Sequence, residues 1–194
     1  MDQHLTWKTH VDHVLNASYA TLSVLRRLKN LAPFHVRKHL AESLVLSKVN
    51  YACSVFHPLP AFQMKLLQGL QNVCPGFVTR RFAGVEDIVK LNWLPVNKNV
   101  ELNILKPAHK SLYDETFPEY LKLNLHKVSA NSLGSSIAPV LSIPRESGTI
   151  QHLAATIFNK LPVAIRNMKY LHANRNFMPS TWPHCLYVMV LHII

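Results

Sequence analysis

The side chains best placed to do chemistry in this chain are cations. Arg26, Arg27 and Lys29 fall close together, Arg37 and Lys38 are adjacent, as are Arg80 and Arg81, and Lys106 and Lys110 are one helical turn apart. Such clusters are the electrostatic footprint of phosphate binding. The first two flank the turn between two expected helices and so are expected to form one positive patch. The candidate nucleic-acid-binding residues are therefore Arg26, Arg27, Lys29, Arg37, Lys38, Arg80 and Arg81. A solvated helix face is the competing explanation of charge runs. The overall balance favours phosphate: 21 Lys and Arg against 10 Asp and Glu give a formal charge of +11 with the 12 His neutral, a surplus that attracts polyanions.

Other chemistries find less support. Stacking on bases needs exposed rings beside a basic groove, for which Trp7, Tyr19, Tyr51 and Trp93 are available, with core packing the default for each. His35 and His39 are spaced like two zinc ligands on one helix face, and His10 and His13 pose the same question. No HExxH string or third ligand accompanies them, so no metal site is expected. Cys53 and Cys74 sit in apolar helical stretches and read as small buried hydrophobes. With Cys185 they form neither a disulfide framework nor a zinc ribbon, which favours a reducing compartment, nuclear or cytoplasmic. Two-metal chemistry needs convergent carboxylates. The adjacent pairs Glu86-Asp87 and Asp114-Glu115 point to different sides and read as helix capping and dipole compensation. Five glycines and the lack of any GxGxxG or GxxxxGK[ST] string exclude dinucleotide and P-loop sites. No cofactor and no enzymatic activity are expected.

Helices must position these cations. With 48% apolar and 16% charged residues the chain can bury a core, in one domain or two small ones. Val11, Val14, Leu15, Leu22, Leu25, Leu28 and Leu31 recur at three- and four-residue steps and predict a helix over 7–31 with Thr6 as N-cap. Pro33 opens a second, with the stripe Val36, Leu40, Leu44, Val49 or Ala52, and Phe56, ended at His57-Pro58. Phe62, Leu66, Leu70, Val73 and Phe77 mark a third, closed by Gly84 and kinked or cut short at Pro75. Helices are also expected over 85–91 and 97–113, the latter interrupted by Pro107, and over 152–158. The texture changes after Tyr120, where 129–136 is small and polar and 137–143 looks extended. The expected fold is mainly α, a small helical bundle (1–84) with additional helices (85–128), an extended segment plus short helices (129–166), and a divergent tail (167–194). The polar opening of the chain reads as no signal peptide, and the apolar ending is too short to span a membrane.

Several strings, in order, resemble the C-terminal part of reverse transcriptases from jockey-like non-long-terminal-repeat retrotransposons. Asp2-Gln3-His4-Leu5-Thr6-Trp7-Lys8-Thr9-His10-Val11 is similar to the crossing from polymerase palm to thumb, and Leu44-Val45-Leu46-Ser47-Lys48-Val49-Asn50-Tyr51-Ala52-Cys53 to the helix that follows. Leu67-Gln68-Gly69-Leu70-Gln71-Asn72 resembles the third thumb helix, Leu91-Asn92-Trp93-Leu94-Pro95-Val96 the next segment, and Phe158-Asn159-Lys160-Leu161-Pro162 with Ile165-Arg166 a closing motif. The resemblance implies a thumb-like bundle that grips an RNA-DNA template-primer duplex, with a polymerase palm in trans as a further partner. The family's catalytic Tyr-x-Asp-Asp box has no counterpart, since no Asp-Asp pair occurs. Gly69, Pro75 and Pro107 depart from the family's helix-compatible residues, and the text after Arg166 departs from its basic ending. The competing expectation is a degenerate retroelement-derived chain with no selected activity. A third is attachment to anionic membrane through basic amphipathic helices.

Overall fold

Apolar residues at helical spacing fold into α1 (Lys8–Arg27) in a computed structural model that describes residues 7–51, 53–55, 58–81, 84–124, 139–146 and 149–166. Its buried face is Val11, Val14, Leu15, Ser18, Leu22 and Leu25. Leu28 and Leu31, which the sequence assigns to the same stripe, are exposed. The helix ends at Arg27, short of the expected Leu31, so these two residues lie in the turn that follows it and not on its core-facing side. Thr6 lies outside the described residues, and Trp7 precedes the helix without a side-chain cap.

Pro33 opens α2 (Phe34–Ala41), which continues through a wide π turn, Glu42–Leu46, into α3 (Ser47–Asn50). The expected stripe is one residue out of register. Val36 and Leu40 are half-buried and Leu44 is exposed, while the buried row is Arg37, Ala41, Val45 and Val49. Ala41 lets the backbone come close, and Arg37 finds acceptors inside the bundle, so the inward face is chosen by fit as well as by hydropathy. Lys48 ties α3 across α1, its ammonium donating to the Ala17 carbonyl at 3.1 Å and to the Thr21 hydroxyl at 2.6 Å. The helix ends at Asn50, short of the expected His57-Pro58.

The third long helix, α4 (Ala61–Thr79), buries Leu67, Leu70, Gln71, Cys74, Pro75, Phe77 and Val78 and leaves Phe62 exposed. It does not end at Pro75. The ring is buried in the core, and one turn later the Thr79 hydroxyl bonds the Pro75 carbonyl at 2.8 Å. Arg80, at φ 63° in the left-handed region, closes the helix. Gly84, the expected terminator, instead precedes α5 (Val85–Lys90), where its N–H donates to the Asp87 carboxylate at 3.0 Å. α6 (Val96–Tyr113) likewise passes through Pro107 without interruption.

The chain divides into two compact units, Met1–Val100 and Glu101–Ile194. In the first, α1 and α2 both pack on α4, and the π turn packs on α1. Polar joints complete it: the Trp93 indole donates to Glu42 Oε1 at 2.7 Å, Gln71 Nε2 to the Leu94 carbonyl at 2.8 Å, and the Val96 N–H to Gln68 Oε1 at 2.9 Å. The second unit holds the rest of α6, a short 3-10 turn (Glu119–Leu121), α7 (Ile150–Asn159) and α8 (Val163–Arg166). Leu105, Leu141, Ala155, Phe158 and Leu161 form its core. The stretch 139–144 forms no helix, and Asn159 holds it by donating to the Leu141 carbonyl and accepting from its N–H, both at 2.9 Å. Thr149 caps α7, accepting from the His152 N–H at 3.2 Å. The protein is mainly helical, with no strand among the described residues and no helix there long and apolar enough to cross a membrane.

Candidate nucleic-acid interface

Two helix ends meet to make the basic surface. The last turn of α1 supplies Arg26, the turn after it Lys29, and the end of α4 Arg80 and Arg81. These four cations, with Asn72, Val73, Gly76 and Phe77, line an open groove of about 510 Å³. The Asn72 amide oxygen is held by Gln68 Nε2 at 2.9 Å. Sequence reasoning passes over Asn72 and Gly76, because nothing in their spacing marks them apart from helix packing.

The seven candidate cations do not share one environment. Arg26 lines the groove, while Arg27, one residue on, projects about 100° further round the helix, away from it. Lys29 is half-buried at the groove edge. Among the described residues none of these three has an ion-pair partner.

Arg37 is a correction to the expected patch. It is 5% exposed, with Nε donating to the Val78 carbonyl at 2.9 Å and Nη1 to the Ala32 carbonyl, so it is a strut inside the bundle. Burial, and then the nearby Arg80 cation, hold its pKa below the usual arginine value. Lys38 lies outside the groove lining and faces Glu42 at 3.8 Å, an i,i+4 pair. The two sequence clusters on either side of the first turn therefore do not merge into one patch.

Arg80 lines the groove, but its guanidinium donates to the carbonyls of Lys29 at 2.9 Å, Asn30 at 3.1 Å and Ala32 at 3.0 Å. A left-handed non-glycine residue costs about 1–2 kcal/mol, and three charge-assisted bonds offset it. Arg81 pairs with Asp87 at 2.6 Å, and Lys90 approaches the same carboxylate at 3.9 Å. With Asp87 included, the groove carries three net positive charges. Its freest donors are those of Arg26 and Lys29.

Lys106 and Lys110 are exposed on the part of α6 assigned to the second unit, and Lys106 contacts Asn103 at 3.3 Å. The aromatics do not gather at the groove. Trp93 is buried against Glu42, Trp7 is half-buried edge-on to His10 at 5.9 Å, and Tyr19 and Tyr51 are exposed rather than in the core. Phe77 is the ring lining the groove, and it is buried.

No group of three His, Cys, Asp or Glu able to hold a metal converges among the described residues. Cys53 and Cys74 are both buried, and burial pushes the Cys74 thiol up to about 12 against an opposing pull from Arg26. Cys185 lies outside the described residues. Both carboxylate pairs cap local structure: Asp87 serves α5, and Asp114 accepts from the Thr116 N–H at 2.9 Å just beyond α6. The described geometry thus offers a place to hold an anion. Set against protein-family models, curated proteins and solved structures, the chain matches none of them.

Proposed function

We propose that this chain is a non-catalytic nucleic-acid-binding piece of a retrotransposon reverse transcriptase, holding the sugar-phosphate strands of an RNA-DNA duplex in the groove between the ends of α1 and α4. The observation that carries the reading is the convergence of Arg26, Lys29, Arg80 and Arg81 from two helices on one groove. The resemblance of the ordered strings supports the identity of the ligand. Contacts made to the phosphate backbone carry no base information, so binding is expected to be sequence-tolerant. Arg26→Glu with Lys29→Glu is expected to lower affinity for an RNA-DNA hybrid at low salt by about a hundredfold, since each lost phosphate contact also loses its counterion release. Filter binding that finds the double variant equal to the native chain rejects the reading.

The alternative, a chain with no selected activity, is favoured by one observation: Leu31, Tyr51, Phe62 and Tyr120 are widely exposed, as faces that have lost a palm domain would be. A cooperative thermal transition of the purified monomer, with hybrid binding, counts against it.

A further inference from the structure

Three side-chain amides connect the start of α6 to the groove, and backbone groups fix their direction at both ends. Val96 is the first residue of α6, where an N–H has no partner inside the helix. It can only donate, and it donates to Gln68 Oε1 at 2.9 Å, so the other end of the Gln68 amide is nitrogen. The Leu94 carbonyl can only accept, and it takes its bond from Gln71 Nε2 at 2.8 Å, which turns Gln71 Oε1 toward Gln68. The two anchors agree: Gln68 Nε2 donates to Gln71 Oε1 and to Asn72 Oδ1, both at 2.9 Å.

With its oxygen held by Gln68, Asn72 has only its amide nitrogen left for the groove that it lines. Among the described residues that nitrogen has no hydrogen-bond partner, and it is not sealed from solvent. Arg26, Lys29, Arg80 and Arg81 carry no acceptor at all, so the polar side chains lining the groove offer it donors only. A base edge mixes donors and acceptors, and a ribose hydroxyl is both. A phosphate diester presents acceptor oxygens alone.

We propose that Asn72 is a binding residue of the groove, its amide N–H donating to a phosphate oxygen of the bound strand, with Gln68 as the positioning residue that keeps the nitrogen outward. The inference rests on the nucleic-acid reading above and adds to it a neutral, directional contact among the cations. Its mark is the response to salt. A neutral donor releases no counterion, so Asn72→Ala is expected to weaken binding of an RNA-DNA hybrid roughly tenfold and to leave the log-log salt slope unchanged. Arg26→Ala, by contrast, should make that slope shallower by about one.

The test is filter binding of the full chain, native and variant, to an RNA-DNA hybrid and to a DNA duplex of the same sequence across a salt series. Equal loss on both ligands is expected, because both carry the same phosphates. Gln68→Met, which frees the Asn72 amide to turn, is expected to lower affinity several-fold in the native background and not at all in Asn72→Ala. A further readout needs no substitution: the side-chain NH2 resonances of Asn72 should shift when the hybrid is added. The inference is overturned if Asn72→Ala binds as the native chain does while Arg26→Glu with Lys29→Glu is weakened, a result that leaves the nucleic-acid reading standing. It is overturned equally if the loss is confined to the ligand containing ribose, which makes a hydroxyl the acceptor, or if the salt slope changes with it. Gln68→Met costing the same in both backgrounds, or NH2 resonances that stay in place, also overturn it. A native chain that binds neither duplex overturns this inference and the nucleic-acid reading together.

Discussion

Arg37 is the donor that serves the Val78 and Ala32 carbonyls from within the first unit. Truncating it to Met leaves both acceptors without a partner and is expected to destabilise the protein by about 3 kcal/mol. Arg26→Ala, at an exposed position without such bonds, should stay within about 0.5 kcal/mol. Urea unfolding of the two variants side by side checks the contrast. Cys74 supplies a second residue-level expectation. Burial raises its thiol from an ordinary 9.0 to about 12, so the folded chain keeps a proton that the unfolded chain releases as pH rises past 9.0. The stability this gives is complete below that pH and is lost on the way to about 12. Native protein should therefore lose stability across that alkaline window more steeply than Cys74→Ala, and a parallel decline of the two would refute the shift. The sequence places Cys74 correctly in the core, yet it cannot distinguish Arg37 from Lys38. Both are cations on a helix, and the Val78 carbonyl that claims Arg37 is 41 residues away along the chain.

Helix existence is legible from periodicity, and α1, α4, α5, α6 and α7 lie where the apolar spacing puts them. The face each turns inward is less so. Leu28 and Leu31 leave the core because α1 ends before them, at Arg27, and in α2 the small Ala41 and the bonded Arg37 outcompete Val36 and Leu40 for the inward position. Neither Pro75 nor Pro107 ends its helix, and at Pro75 burial of the ring in the core helps sustain a helix that local propensity alone would weaken. Gly69 provides a test of that balance. A Cβ added there meets nothing within 4 Å, so Gly69→Ala should stabilise α4 by roughly 0.5–1 kcal/mol, read as a higher denaturant midpoint. Asn159 tests the second unit. Its side chain completes a two-bond pairing with Leu141, and Asn159→Ala should cost about 1–3 kcal/mol. Hydrogen exchange at the Leu141 amide should accelerate while amides in α1 and α4 keep their rates.

At the scale of the whole molecule the surplus of eleven positive charges sets a field, but the groove concentrates only part of it. Three net charges there predict a log-log salt slope for hybrid binding of about −3, far shallower than neutralisation of all eleven would give. A titration from low to moderate salt measures it. Composition alone makes the field legible. The partition does not follow from composition, because Arg80 and Arg81 reach the α1 end only once α4 has docked, about 50 residues later in the chain. That docking also closes the rim of the groove. The guanidinium of Arg80 fastens the loop ahead of α2 through the carbonyls of Lys29, Asn30 and Ala32, so the side chain that adds charge to the groove is at the same time the clasp that holds one of its walls.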